Sequence, residues 1–574
     1  MRTLALALLL TAPSFALDRN AFTFTRYDLA VTVTPEKGEL RASGRITARN
    51  DSTAPQRNFT LQISSSLAWT SITAGGKQVT AVRQPYQSDI DHTGEVNEAI
   101  LSLPGDVAPG QSITVDVAYE GQISSDATRL MRIGVPQAVA QRNDWDQISA
   151  TFTAVRGLGY VAWYPVAMDA VSLSEGREVF DALADWKRRH AASSMAVRIE
   201  FPAGFSVAAD AEGMETVRPA PTPAVNLQWP SLAQVVPAFS LASYEVLEQP
   251  PQSRPVVIWY LRPHGQVARE LAAAASRTAP LLQDWFGAQR HPVRVAELPY
   301  AEASPWEGGA MLFTPLRPAA SQELELVMAH QLAHAMFDSP RPWIYEGLAH
   351  FAQALVREKQ AGREAGIALM NAQLGPLVEA ERENTAPETS SSRAGRAQAA
   401  PPGQGDPLAT SNDEIMFRTK AMFCWWMLRD MIGAENLQHA LARYRVAADK
   451  EPAYLQRLVE AEARKSYEWW FDDWIYRDRG LPDFRVESAY PRETVAGAYG
   501  VTVTVENAGA AAAEVPVIVR AESGQRVSRT QVAGHAKVVA RVLVPARPVE
   551  ATVNDGSVPE MSASNNAVPI EVKQ

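Results

Sequence analysis

A single cysteine in 574 residues excludes any intrachain disulfide. Cys424 stands in Phe423-Cys424-Trp425-Trp426, an apolar helix-like run that buries a thiol rather than activating it. It also lies far from the N-terminus, which excludes a lipidated N-terminal cysteine. No apolar run reaches the ~20 residues that a membrane-spanning helix needs. No Lys/Arg-rich run occurs, and the net charge of -10 argues against nucleic-acid binding. What is present is ordinary for a globular protein: 46% hydrophobic and 21% charged residues, in a chain long enough for three or four domains. Its first residues read as a secretory signal. Arg2 supplies the positive start, Leu4 to Leu10 the apolar core, and Ser14-Phe15-Ala16 a small-x-small cleavage site. Residues 1–16 are therefore expected to be removed, and the mature protein to be exported, as a bacterial periplasmic or secreted protein.

Residues 17–250 read as β structure. Tyr27-Asp28-Leu29-Ala30-Val31-Thr32-Val33 and Ile113-Thr114-Val115-Asp116-Val117 alternate as half-buried strands do, with turn punctuation at Gly75-Gly76, Pro104-Gly105 and Pro109-Gly110. One helical interruption is expected over 175–192. Residues 251–483 change to helical spacing, with helices predicted over 266–286, 323–337, 344–359, 414–432 and 437–447 and a short strand at Val293–Val295. Within this part, 385–412 is rich in Ala, Ser, Pro, Gly and Gln, which predicts a mobile surface loop. Residues 484–574 return to β, for example Val501-Thr502-Val503-Thr504-Val505, and fit an immunoglobulin-like sandwich of ~100 residues. The fold class expected is thus multidomain: an N-terminal β-sandwich, a mainly α zinc domain and a C-terminal immunoglobulin-like sandwich.

The chemistry concentrates in His330-Gln331-Leu332-Ala333-His334 and Trp343-Ile344-Tyr345-Glu346-Gly347-Leu348-Ala349. Histidines at i and i+4 project from one helix face, the spacing for two imidazoles to hold one zinc ion. Glu346, at the start of the next helix, is the natural third ligand, and the Ser339-Pro340-Arg341-Pro342 turn folds that helix back. Two histidines and a carboxylate leave one coordination position open. The alternatives are two core histidines on an apolar face and a helix N-terminal acid. Against them, a lone buried carboxylate is costly unless paired or metal-bound.

HQLAH followed by WIYEGLAHF resembles the gluzincin metallopeptidases, and most closely the M1 aminopeptidases and their peptidase-MA-like relatives. Trp163-Tyr164-Pro165 resembles the aromatic-Pro segment that precedes the M1 catalytic part. Gly308, Gly309, Ala310 and Met311 resemble the substrate-edge GAMEN strand. Lys420-Ala421 and the Met427–Gly433 stretch resemble the helix after the family's catalytic Tyr. Trp474-Ile475 and Gly480-Leu481-Pro482 resemble the end of that domain, and the C-terminal part is similar to adhesion-type CARDB modules. The resemblance implies one Zn2+ ion on His330, His334 and Glu346, with substrate along 308–311.

Three positions depart from the family pattern. The general-base Glu falls on Gln331, a neutral amide that accepts no proton. The GAMEN glutamate, which anchors a substrate's amino group, falls on Leu312. The oxyanion-stabilising Tyr falls on Arg418. General acid–base catalysis and an oxyanion donor are each worth ~10²–10⁴-fold, so little peptidase activity is expected without them. Glu307, or Glu302, is the candidate substitute base. Arg418 is either an electropositive partner for an oxyanion or a salt bridge to Asp413 or Glu414. His350 either orients Glu346 or is an ordinary surface histidine. The leading expectation is an exported zinc-binding M1-like homologue with impaired or lost peptidase activity that binds a peptide or protein. One alternative is an active metallopeptidase using a substitute base; another is a structural or adhesion protein of the envelope.

Overall fold

A computed structural model describes residues 17–174, 179–213, 216–217, 223–233, 235–249, 256–385, 406–494 and 497–572. The expected signal segment and all but the ends of the expected 385–412 loop lie outside the described residues. The chain divides into two compact units. One comprises Met1–Leu173, Asp185–Gly204 and Ala211–Pro237; the other comprises Ser174–Ala184, Phe205–Asp210 and Ala238–Gln574.

The first unit is built on period-two burial. In Phe22–Thr34 the side chains of Tyr27, Leu29, Val31 and Val33 are buried, while Ala30 and Thr32 between them are exposed. This strand pairs antiparallel with Glu39–Asn50 and parallel with Ser194–Glu200, in the middle of an eight-stranded sheet. A three-stranded sheet of Gln56–Ser64, Glu95–Val107 and Thr80–Gln87 faces it. Phe59 of the smaller sheet packs its ring 4.9 Å from Phe22 and 5.6 Å from Phe24 of the larger one.

His190 closes this core and carries a pH dependence. It is 1% exposed and stacks on Trp186, ring centroids 4.7 Å apart. Its Nδ1 lies 2.8 Å from the Trp186 carbonyl, and its Nε2 accepts the Phe24 N–H at 3.3 Å. Both nitrogens are thus satisfied only in the neutral ring. Burial pulls its pKa down to about 4 from 6.5. The unfolded chain binds this proton first as pH falls, so the stabilisation is full above 6.5 and lost on the way down to about 4. The loss is on the order of 3 kcal/mol. The unfolding midpoint of the first unit should therefore drop over that range, and His190→Asn should remove that part of the drop. Equal pH slopes in parent and variant would refute the assignment.

The second unit opens with a five-stranded sheet in the order Glu245–Gln249, Val256–Tyr260, Val293–Glu297, Met311–Thr314, Trp306–Gly308. The three inner strands run parallel and the two outer ones antiparallel to them. Of this sheet, Val293–Val295, the end of the β-rich 17–250 region at Glu245–Gln249 and an edge strand at 308–311 were expected from the sequence, but Val256–Tyr260 was not. Helices follow at Gly265–Phe286, Ser321–Met336, Pro342–Ala361, Ala421–Ile432 and Ala434–Arg443, near their expected places, with the first part of the expected 414–432 helix forming a π-helical turn, Ile415–Lys420. Four further helices, Arg363–Asn371, Leu374–Thr385, Tyr454–Ala463 and the short Glu468–Phe471, were not expected. Residues 484–569 form facing three- and four-stranded sheets. They are tied into the same unit: Trp474 Nε1 donates to the Ala512 carbonyl at 2.8 Å, and Asn371 Nδ2 to that of Gly556 at 3.2 Å. Cys424 is buried and its thiol pKa is pushed up by burial, as an inert core thiol requires. Trp425, Trp426 and Trp470 are likewise core residues. Among the described residues no helix is long and apolar enough to cross a membrane.

Candidate metal centre

Two helices and one strand of the second unit deliver the polar cluster. The histidine helix, Ser321–Met336, buries every residue from Met328 to Met336, so His330, Gln331 and His334 are surrounded by protein. The glutamate helix, Pro342–Ala361, starts with Pro at its first position, where a missing N–H costs nothing. Gly347 brings it against the Ala421–Ile432 helix. A Cβ there would sit 2.6 Å from Ala421 Cβ and 2.9 Å from Trp425 Nε1, so only glycine allows the approach that sets Glu346 beside the histidines.

Glu307, His330, His334 and Glu346 each offer one ligand atom, all within 4.8 Å of one another. The two Nε2 atoms are 3.1 Å apart. Glu346 Oε1 lies 3.7 Å from His334 Nε2, and its Oε2 lies 3.9 Å from His330 Nε2. Zinc bonds of about 2.0–2.1 Å hold tetrahedral ligand atoms roughly 3.3 Å apart, so the donor set and its spacing fit that ion. His330, His334 and Glu346 would hold it, and the ion would supply Lewis-acid chemistry. The Nε2 atoms of both histidines face carboxylates, an environment that two core histidines on an apolar face would not require. The His334 ring is fixed by stacking on Tyr345, centroids 4.0 Å apart, while its Nδ1 makes no hydrogen bond.

Glu307 is the fourth member. Its Oε2 lies 3.0 Å from His330 Nε2 and accepts a 3.0 Å hydrogen bond from Gln331 Nε2. Gln331 is 1% exposed, and its Oε1 makes no hydrogen bond. Arg418 Nη2 approaches the other Glu307 oxygen at 3.4 Å. Burial alone would push the Glu307 carboxyl up, but the charge and hydrogen bond of His330, with His334 and Arg418, hold it well below the usual range. Burial pulls His330 down, but the charge and hydrogen bond of Glu307 together with the charge of Glu346 outweigh it, so His330 stays above its ordinary value. His334 is pushed well below its ordinary value by burial and by its neighbour His330.

The edge of the sheet is displaced from its expected place. The edge strand is Trp306–Gly308, not 308–311. Gly309 and Ala310 form the turn, with Gly309 at φ +63°, and Met311 begins the next strand inward, where it is 1% exposed. The carboxylate on the edge is therefore Glu307, which pairs across the ladder with Leu312.

Arg418 sits in a π-helical turn, Ile415–Lys420, an irregularity frequent at functional sites. It makes the expected ion pair with Glu414 and also reaches the cluster. Arg418 Nη1 lies 3.4 Å from Glu414, while its Nε lies 3.7 Å from Glu346. Asp413 instead accepts the backbone N–H of Ile415 at 2.8 Å. Glu302 is exposed in a turn, away from the cluster. His350 is no ordinary surface histidine. Its ring packs edge-on against His330 at 4.8 Å, and burial, then the charge of His330, push its pKa down to about 3.

No protein-family model matches the chain, and no curated protein does. Solved structures do. The M1 zinc metallopeptidase of Deinococcus radiodurans, as a glutamate-to-alanine variant bound to a Tyr-Ser-Ala substrate, superposes with a TM-score of 0.50 at 16% identity, covering 81% of this chain and 96% of that one. Further structures of the same variant and of the parent enzyme give TM-scores of 0.49 and 0.48 at 16% and 17% identity, with the same coverage. The likeness is one of fold: this chain has the architecture of the M1 zinc metallopeptidases.

Proposed function

We propose that this M1-like fold serves an exported zinc-binding protein whose peptidase activity is strongly impaired or lost, and which binds peptides or proteins beside its metal cage. The observation that carries the reading is the Gln331–Glu307 bond. At the position where the gluzincin pattern supplies a proton acceptor, this chain has an amide whose donor is spent on a carboxylate. Arg418, at the position of the family's oxyanion-stabilising Tyr, is likewise engaged by Glu307, Glu346 and Glu414. The binding half of the proposal rests on Trp306–Gly308. It is the terminal strand of its sheet and carries Glu307, so an extended peptide adding to that edge would lie against the cage.

A second reading, an active peptidase with Glu307 as the base, draws on the 3.0 Å approach of Glu307 to His330. One experiment separates the two. The zinc-loaded protein and His330→Ala are given a mixed peptide library, with zinc content measured on both. Expected are one zinc per chain, lost in His330→Ala, and at most trace cleavage. Robust turnover that vanishes with His330→Ala would overturn the proposal in favour of the second reading.

A further inference from the structure

We infer that Glu307 is itself a metal ligand, so that the ion is held by four protein groups (His330, His334, Glu346 and Glu307) with no position left for water or substrate. The inference rests on the zinc reading above and adds the closure of the site. Structural zinc sites are four-coordinate and closed, whereas catalytic ones keep three protein ligands and an open position. The distances place Glu307 on the closed side of that division. Its Oε2 is 3.0 Å from His330 Nε2, nearer than either Glu346 contact and within the separation of neighbouring tetrahedral ligand atoms.

The surroundings of Glu307 match those of a ligand carboxylate. Metal-bound carboxylates are held by hydrogen bonds from residues around them. Here Gln331 Nε2 donates to Oε2 at 3.0 Å, and Arg418 Nη2 approaches Oε1 at 3.4 Å. Gln331 thereby acquires a positive role as a positioning residue. An amide in that place fixes Glu307, whereas a carboxylate would repel it. Charge agrees as well. Two carboxylates balance a divalent ion between two neutral imidazoles, and Arg418 lies outside that set at ion-pair distance from both carboxylates.

The test compares the full chain with Glu307→Ala, Glu307→Gln and His330→Ala, each refolding-checked by circular dichroism. Zinc affinity is measured by chelator competition, and the visible spectrum of the cobalt-substituted protein is followed during azide titration. Closure predicts that azide leaves the parent spectrum unchanged but shifts that of Glu307→Ala. It also predicts that zinc binding weakens by at least about tenfold in Glu307→Ala. Should Glu307→Ala misfold, Glu307→Gln carries the same comparison through its affinity and azide response. An azide shift in the parent equal to that in the variant, or unchanged zinc affinity, overturns the closure while leaving the zinc reading intact. Zinc binding that is insensitive to His330→Ala overturns both.

Discussion

Lys420→Met should destabilise the second unit by about 3–5 kcal/mol, the usual cost of removing one partner from a buried ion pair. Lys420 is fully buried, and its Nζ donates to Glu381 at 2.6 Å and to Asp478. Both carboxylates are buried too, at 1% and 0% side-chain exposure. Burial opposes the ammonium charge, but Asp478 and Glu381 outweigh it and raise the Lys420 pKa. Methionine keeps the length of the side chain and removes the charge, so two carboxylates would be left buried without their cation. The pair ties three segments together: the end of the Leu374–Thr385 helix, the π-helical turn and the loop around Asp478. The turn also carries Arg418, so its loosening should weaken the contacts of Arg418 with Glu307 and Glu346. Thermal unfolding of parent and variant checks the size of the effect. Replacing all three charges together, as Lys420→Met with Glu381→Gln and Asp478→Asn, should recover much of the loss, because no unpaired charge remains. A single variant that unfolds with its parent would show that the triad contributes nothing net.

What the sequence disclosed about the site was its local part. His330 and His334 are one turn apart on a single helix, and a spacing of four fixes their common face without reference to the rest of the chain. Glu346 followed from the same logic through a short turn and a second helix. The edge strand did not follow. Trp306–Gly308 has three residues, too few to display a period of two, and a matched motif drew the edge to 308–311. The signal that could have corrected it was the Gly308-Gly309 pair, a turn marker that places the strand before it and not through it. The five-stranded sheet was hidden for a related reason. Val256–Tyr260 reads Val-Val-Ile-Trp-Tyr, an apolar run that a buried strand and a buried helix share. Arg418 was legible only as a choice between a helix-surface ion pair and a site residue. Its guanidinium reaches Glu414 on its own turn and also two carboxylates brought from a strand and another helix, partners that sequence distance conceals.

Restoring the proton acceptor alone should fail. Gln331→Glu would set a second carboxylate at the 3.0 Å separation that Gln331 Nε2 now keeps from Glu307 Oε2. Two like charges that close raise each other's energy, so the introduced group would be driven away from a base's geometry or would expel Glu307. Combining Gln331→Glu with Glu307→Gln keeps one carboxylate and one amide and reverses which residue donates. The acceptor then stands on the histidine helix, and the edge strand carries a neutral side chain. Peptide hydrolysis by the zinc-loaded double variant should exceed that of the single variant by about 10²-fold or more, the lower range of what a positioned base supplies. It should still fall short of a complete site, because Arg418 remains where an oxyanion donor is expected, a loss of similar size. Initial rates on the same peptide library, with zinc content measured for every variant, check the order. Equal rates in the single and double variants would show that Glu307 takes no part in the block. No activity in either, with zinc bound, would move the defect to Arg418 and make its replacement by Tyr the decisive variant.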